Sequence, residues 1–213
     1  MTNNNQIDEY ILNHIDEEGD YLYRLYRATN IELLHGRMAS GHLQGRILKM
    51  LVRMIRPKNV LEIGTFSGYS AISMAEGLTD EGMIYTFDIN DEIEPFARKW
   101  IDGSAVAAKI DFRIGDALIE APLLGVDFDM VFIDGDKRQY VDYYEMALKV
   151  TSNNAFILAD NTLWDGHVID HSYDNDKQTV GIEQFNDHVA NDERVEKIIL
   201  PLRDGLTIIR KLN

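Results

Sequence analysis

The chain has 213 residues, no cysteine and a formal net charge of -15. That length suits one α/β domain with a full core, and no apolar run reaches the ~20 residues of a membrane-spanning helix. Without cysteine there is no disulfide, no zinc–thiolate site and no thiol nucleophile. The negative charge disfavours a large nucleic-acid footprint, which requires basic patches. The polar start, MTNNNQIDEY, argues against a secretory signal, so a cytoplasmic location is expected.

The first third reads as helical. IDEYILNHIDEE sets Ile7, Ile11, Leu12 and Ile15 at helical spacing. A second helix is expected over 21–34, with Tyr21, Tyr23 and Tyr26 packing between helices. A third, over 41–55, carries Leu43, Ile47, Leu48, Leu51 and Val52 on one stripe and stops before Pro57. From Asn59 the pattern alternates. Strands are expected from 59 and over 83–88, 110–114, 128–134 and 155–160, and helices over 69–78, 95–107, 140–150 and 180–190. The last two strands, VEKIILP and LTIIRK, flank a short turn at Arg203-Asp204-Gly205 and so form an antiparallel pair. The expected fold is a doubly wound α/β sheet of seven strands, mostly parallel with one reversed strand in the C-terminal hairpin. No repeat, low-complexity tract or linker interrupts it, which predicts one domain, with residues 1–37 as a helical cap on a core of 38–213.

Two strand ends carry chemistry. Asp134 and Lys137 lie in FIDGDK, and Asp160 and Asn161 in ILADN, each after a buried-looking apolar run. Neighbouring strands run about 5 Å apart. Three oxygen donors and an amine would then meet at the carboxyl edge, where open α/β sheets bind ligands. Hard oxygen ligands suit a Mg²⁺-type cation, and a nearby lysine suits a base. The competing reading is capping and loop hydrogen bonding, with Lys137 on the surface beside Asp136.

The first strand runs into Glu62-Ile63-Gly64-Thr65-Phe66-Ser67-Gly68-Tyr69-Ser70. Phe66 breaks the dinucleotide pattern Gly-x-Gly-x-x-Gly, while Gly64 and Gly68 still allow a tight turn beside a ligand. Asp88 ends the second strand, where an acid takes ribose hydroxyls or caps a helix. Gly115-Asp116-Ala117 follows the third strand and could read an adenine. Of the six histidines, no two stand at metal-binding spacing; only His167, just past the second acidic strand end, has a claim on the site.

VLEIGTFSGYSA, TFDIN, GDAL, FIDGDKRQY, ADNTLWDG and LPLRDGLTIIRK occur in this order. Together they resemble the cation-dependent O-methyltransferases that include the caffeoyl-CoA and catechol enzymes, which are class I, Rossmann-like, S-adenosylmethionine-dependent methyltransferases. The resemblance covers Met38 to the end. It implies that Ser40, Glu62, Gly64, Thr65, Ser70, Asp88, Ala117 and Asp134 hold S-adenosylmethionine. It implies a divalent cation (Mg, with Mn or Ca as alternatives) on Asp134, Asp160 and Asn161, and an acceptor pocket at Trp164 and Asp165. Where this chain has Asp165, the family often has Asn. The resemblance also implies a homodimer.

Lys137 is the expected catalytic base. A phenol with a pKa near ~10 is mostly neutral at physiological pH. A dication lowers the pKa of a coordinated hydroxyl, and a lysine beside the dication is pushed toward its neutral form. The expected acceptor is a small catechol-like or hydroxylated aromatic molecule, because DHSYDND, residues 170–176, would repel coenzyme A phosphates. Alternatives are a caffeoyl-CoA-type acceptor and a tRNA 5-hydroxyuridine, the latter disfavoured by net charge. Arg203, where many relatives have a small residue, is expected to face an acidic acceptor or the acidic surface.

Overall fold

A computed structural model describes residues 4–212. Its centre is one seven-stranded sheet in the order β3-β2-β1-β4-β5-β7-β6. The strands are β1 (Asn59–Ile63), β2 (Met83–Asp88), β3 (Ile110–Ile114), β4 (Phe128–Ile133), β5 (Thr151–Asp160), β6 (Val195–Leu200) and β7 (Leu206–Lys211). Only β7 is reversed, running antiparallel to both β5 and β6. The strand order reverses between β1 and β4, which opens a crevice at their carboxyl ends.

Alternation along the strands sends successive side chains to opposite layers. Leu61, Val131 and Ile157 face α7 (Tyr140–Val150) and α8 (Lys177–Ala190), which contribute Tyr140, Tyr144 and Phe185. Val60, Phe132 and Leu158 face the other way, toward α3 (Gly41–Ile55) and α4 (Tyr69–Ala75), which contribute Leu48, Val52, Ala71 and Met74. Fully burying side chains of this size contributes about 1.5–3 kcal/mol each before entropy is counted.

The chain opens with α1 (Asn4–Leu12) and α2 (Asp20–Glu32). Leu22 and Leu25 of α2 are buried against Tyr69, Ile72 and, on α5 (Glu94–Asp102), Phe96 and Ile101. Tyr21 donates to the Trp100 carbonyl at 2.6 Å and Tyr26 meets the Tyr69 ring edge-on, so both pack as expected. Tyr23 instead faces outward. Among the described residues no helix is long and apolar enough to cross a membrane.

Boundaries differ from expectation where polar or flexible residues intervene. The first helix stops at Leu12 and α5 at Asp102, before Asn13 and Gly103, both poor helix formers. β5 begins at Thr151, four residues early, through the polar run Thr151-Ser152-Asn153-Asn154. That extension was hidden because its side chains do not alternate, and its pairing with β4 shifts register between Phe128 and Met130. A short helix, α6 (Ala117–Glu120), was not anticipated; Asp116 caps it by accepting from the Leu118 N–H at 2.9 Å.

Candidate active site at the carboxyl edge

β4 and β5 pair Ile133 with Ala159, so Asp134 and Asp160 follow side by side. Asp160 is 6% exposed, and burial together with the Asp134 charge pushes its carboxyl up to about 6. Gln44 of α3 donates to Asp160 Oδ2 at 2.6 Å. Asn161, next in the chain, holds a left-handed φ of 59°, a conformation Asn tolerates better than most residues.

Lys137 is 6% exposed, not a surface lysine. Its Nζ donates to Asp134 Oδ1 at 2.9 Å and to the Tyr140 hydroxyl at 2.7 Å. Tyr140 is fully buried and donates in turn to the Asp160 carbonyl at 3.0 Å. Burial, with the Asp134 and Asp160 charges, holds its phenol well above the usual range, so it stays neutral. The partner once allowed for Lys137, Asp136, instead caps the turn by accepting from the Arg138 N–H and pairs with the Arg138 guanidinium.

These donors fit a divalent cation. Two carboxylates stand against one lysine, Asp160 is shielded from bulk water while Asp134 is partly exposed, and the carboxyl shift of Asp160 reflects its burial and then repulsion by Asp134. Asn161 follows Asp160 directly in the chain, from where its amide oxygen could join the set. Among the described residues one other group could share an ion, Glu145, His188 and Asp192. There the Arg194 guanidinium already donates to both carboxylates, at 2.6 Å each. His167 joins neither set; its ring stacks on Tyr173 at 3.6 Å.

The other half of the edge is built by β1 and β2. Glu62 is fully buried, with Oε2 accepting from the Thr86 hydroxyl at 2.5 Å. Its Oε1 makes no well-formed hydrogen bond, although the Ser70 hydroxyl is close enough to favour the charged form. Burial dominates and pushes the Glu62 carboxyl up to about 8. A buried carboxyl oxygen with no well-formed partner can accept from a cationic donor, whose charge would favour the ionised form. Thr65 supports the cluster through a 2.6 Å contact with Thr86. Gly64 turns at φ +101° directly before it. Asp88 accepts from the Phe66 N–H at 2.8 Å and closes this loop, while the capping role ahead of α5 falls to Asn90. Ala117 is buried at the start of α6, and Ser40 is buried just ahead of α3.

A third wall comes from the segment after β5. Trp164, Asp165 and Gly166 take successive left-handed conformations, at φ 48°, 53° and 82°. The turn between β6 and β7 pins this segment: the Leu163 and Trp164 N–H groups donate to the Asp204 carbonyl at 2.7 and 3.2 Å. Lys137 Nζ lies 5.8 Å from the centre of the Trp164 ring. Burial and the neighbouring Asp165 raise the Asp204 carboxyl. Of the two partners expected for Arg203, an acidic acceptor or the acidic surface, the second is not what it meets; its guanidinium donates to the Ser40 carbonyl and to Gln44 Oε1.

The sequence reading missed Gln44, Thr86, Tyr140 and Asp204. Only Gln44 left a signal, as the one amide on the buried side of α3. The other three matter through contacts made across the sheet edge.

A glycine turn after β1, an acid after β2 and a strand-order reversal beside them define a Rossmann-like α/β enzyme. The chain belongs to the O-methyltransferase family, whose sequence profile matches residues 13–212. It is similar to caffeoyl-CoA O-methyltransferase 1 of Eucalyptus globulus, at 36% identity over 80% of this chain and 73% of that one. Among solved structures, the O-methyltransferase from Bacillus cereus in complex with SAH matches with TM-score 0.89 and 28% identity, over 97% of both chains. TomG of Streptomyces achromogenes, in complex with SAM, matches with TM-score 0.89 and 27% identity over the whole of both chains.

Proposed function

We propose that the protein transfers a methyl group from S-adenosylmethionine to a hydroxyl of a small catechol-like phenol, with help from a divalent cation. The observation that carries this reading is the buried Lys137, bonded to Asp134, beside Asp160 and under Trp164. Asp134, Asp160 and Asn161 would hold the cation, which supplies a Lewis acid that favours ionisation of a hydroxyl and fixes its direction. Ser40, Glu62, Gly64, Thr65, Ser70, Asp88, Ala117 and Asp134 would hold S-adenosylmethionine, which supplies an electrophilic methyl group on a sulfonium.

Each residue then has a task. Glu62 Oε1 gives the cofactor's ammonium a buried partner, and the positive charge of that ammonium would draw the proton off the carboxyl. Asp88 sits at the end of β2 to accept from ribose hydroxyls. Lys137 Nζ, in its neutral amine form, would take the hydroxyl proton of the acceptor and become the ammonium that Asp134 pairs with. Tyr140, a neutral donor to the Asp160 carbonyl, keeps Lys137 and Asp160 in register. The Trp164 ring walls off the acceptor and excludes water, which strengthens attraction between the ionised oxygen and the cationic sulfonium.

The acceptor is assigned by charge. Asp170, Asp174 and Asp176 are exposed just past the Trp164 segment. Hydrogen bonds from Ser172 and Thr179 hold the Asp170 and Asp176 carboxyls below the usual range, so both are ionised. Such a rim repels the phosphates of an acyl-CoA. A caffeoyl-CoA-type acceptor is the second reading, supported by the similarity to the Eucalyptus enzyme. Incubation with labelled S-adenosylmethionine and a panel of catechols, caffeoyl-CoA and hydroxylated tRNA, with and without EDTA, tests all of this. Chelator-sensitive transfer to small catechols is expected; a clear preference for caffeoyl-CoA or tRNA would overturn the acceptor, and transfer that survives full chelation would overturn the metal.

A further inference from the structure

Arg203 sits on the exposed turn between β6 and β7, far in sequence from everything it touches. Its guanidinium reaches over the start of α3 and donates to the Ser40 carbonyl and, at 2.5 Å, to Gln44 Oε1. On its other side the Gln44 amide donates from Nε2 to Asp160 Oδ2 at 2.6 Å. Gln44 is 3% exposed, so water has little access to either bond.

We infer that Arg203 is a positioning residue for Asp160, acting through the Gln44 amide, an inference that rests on the cation site proposed above. An amide side chain has two ends of opposite character, and its partners alone decide which way it points. Guanidinium can only donate, so Arg203 fixes Oε1 toward itself. Nε2 is thereby turned toward Asp160, where a carboxylate can only accept. Without Arg203 the amide can flip, presenting Oε1 to the carboxylate and repelling it. With it, the rotation of the Asp160 carboxyl is fixed from behind, leaving its remaining coordination directions aimed at the cation site. Partners that orient a ligand in this way change metal affinity by roughly 10–100-fold when removed. Arg203 also ties this arm to Ser40, so a single side chain braces the cation half of the edge and the residue proposed at the methionine end of the cofactor.

The test is Mn²⁺ binding to the purified full chain, read by electron paramagnetic resonance of free Mn²⁺, for the wild type, Arg203→Ala, Arg203→Lys, Gln44→Leu and the Arg203→Ala/Gln44→Leu double variant. Circular dichroism checks that each is folded. Arg203→Ala is expected to weaken Mn²⁺ binding about tenfold. Arg203→Lys, which still donates to Oε1, should recover most of that loss. In the Gln44→Leu background Arg203→Ala should add less than about twofold, because the relay is already cut. A folded Arg203→Ala protein that binds Mn²⁺ like the wild type overturns the inference. So does an Arg203→Ala effect of equal size in both backgrounds. Wild type that binds no Mn²⁺ overturns the cation site itself and the positioning role with it; wild type that binds, with variants that do not differ, leaves the site standing and removes only Arg203.

Discussion

Gly64 passes so close to Asp134 that a Cβ at position 64 would stand 2.3 Å from the Asp134 carbonyl oxygen. The turn that opens the cofactor half of the edge therefore packs directly on the strand end that opens the cation half. Gly64 also holds φ +101°, outside the range of L side chains. Gly64→Ala meets both obstacles, and the atom it strikes is backbone, which cannot swing away. A loss of about 2 kcal/mol or more is expected from urea unfolding. A midpoint within error of the wild type would refute the close packing.

The buried Glu62 makes stability depend on pH. Its folded pKa of about 8 exceeds the ordinary 4.5, so between these values the native state keeps a proton that the unfolded chain has released. Stability from this group is complete below the lower value and declines as pH rises toward the upper one, by at most ~1.4 kcal/mol per pH unit. Asp160 contributes with the same sign over a narrower window, up to about 6. Glu62→Gln should therefore flatten the curve of unfolding free energy against pH without abolishing its slope. Parallel curves for the two proteins would count against a proton on Glu62.

Lys137→Met keeps the buried stem and removes the amine. Turnover at saturating S-adenosylmethionine should fall by roughly 10²–10⁴-fold, the usual contribution of a positioned base. The variant should remain folded, since Asp134 stays partly exposed and can turn to water. A near wild-type rate would mean that the cation alone activates the hydroxyl.

Asp160→Ala removes the more buried of the two proposed carboxylate ligands. Its turnover should drop at least about 100-fold, and added Mg²⁺ should not restore it. Full recovery at high Mg²⁺ would reduce Asp160 to an affinity role and leave Asp134 and Asn161 as a sufficient set.

Asp174 stands on the exposed acidic rim, its Oδ1 3.4 Å from His171 Nδ1. Asp174→Lys should lower the KM for an acyl-CoA acceptor relative to a free catechol. The effect should shrink at high ionic strength, as screened surface charges do. A salt-independent change would point to local reshaping instead of charge.

Much of this was legible in the chain. Apolar runs such as Met130–Ile133 and Ile157–Ala159 are continuous because parallel strands are buried on both faces, and the polar residue ending each marks the carboxyl edge. Asp134, Lys137, Asp160 and Asn161 could thus be placed at one edge from spacing alone. Boundaries at Leu12, Asp102 and Thr151 could not: weak helix formers at Asn13 and Gly103 stop the first two short of the apolar pattern, and the non-alternating start of β5 joins the sheet only through its pairing with β4. The partner of Arg203 was illegible for a different reason. It lies 159 residues away in sequence, and nothing local to the turn distinguishes an arginine bound to an amide from one in solvent.

By itself, then, the sequence determined the α/β alternation, the reversed last strand and the residue types at each strand end, since these depend on short-range periodicity and turn chemistry. Tertiary structure alone decided which of those residues touch. It brought Gly64 against Asp134, buried Glu62 without a full set of partners, set Tyr140 between Lys137 and the Asp160 backbone, and carried Arg203 across to Gln44. Those outcomes follow from register and from the packing of helices on two faces of one sheet, which bring residues distant in the chain within hydrogen-bond reach.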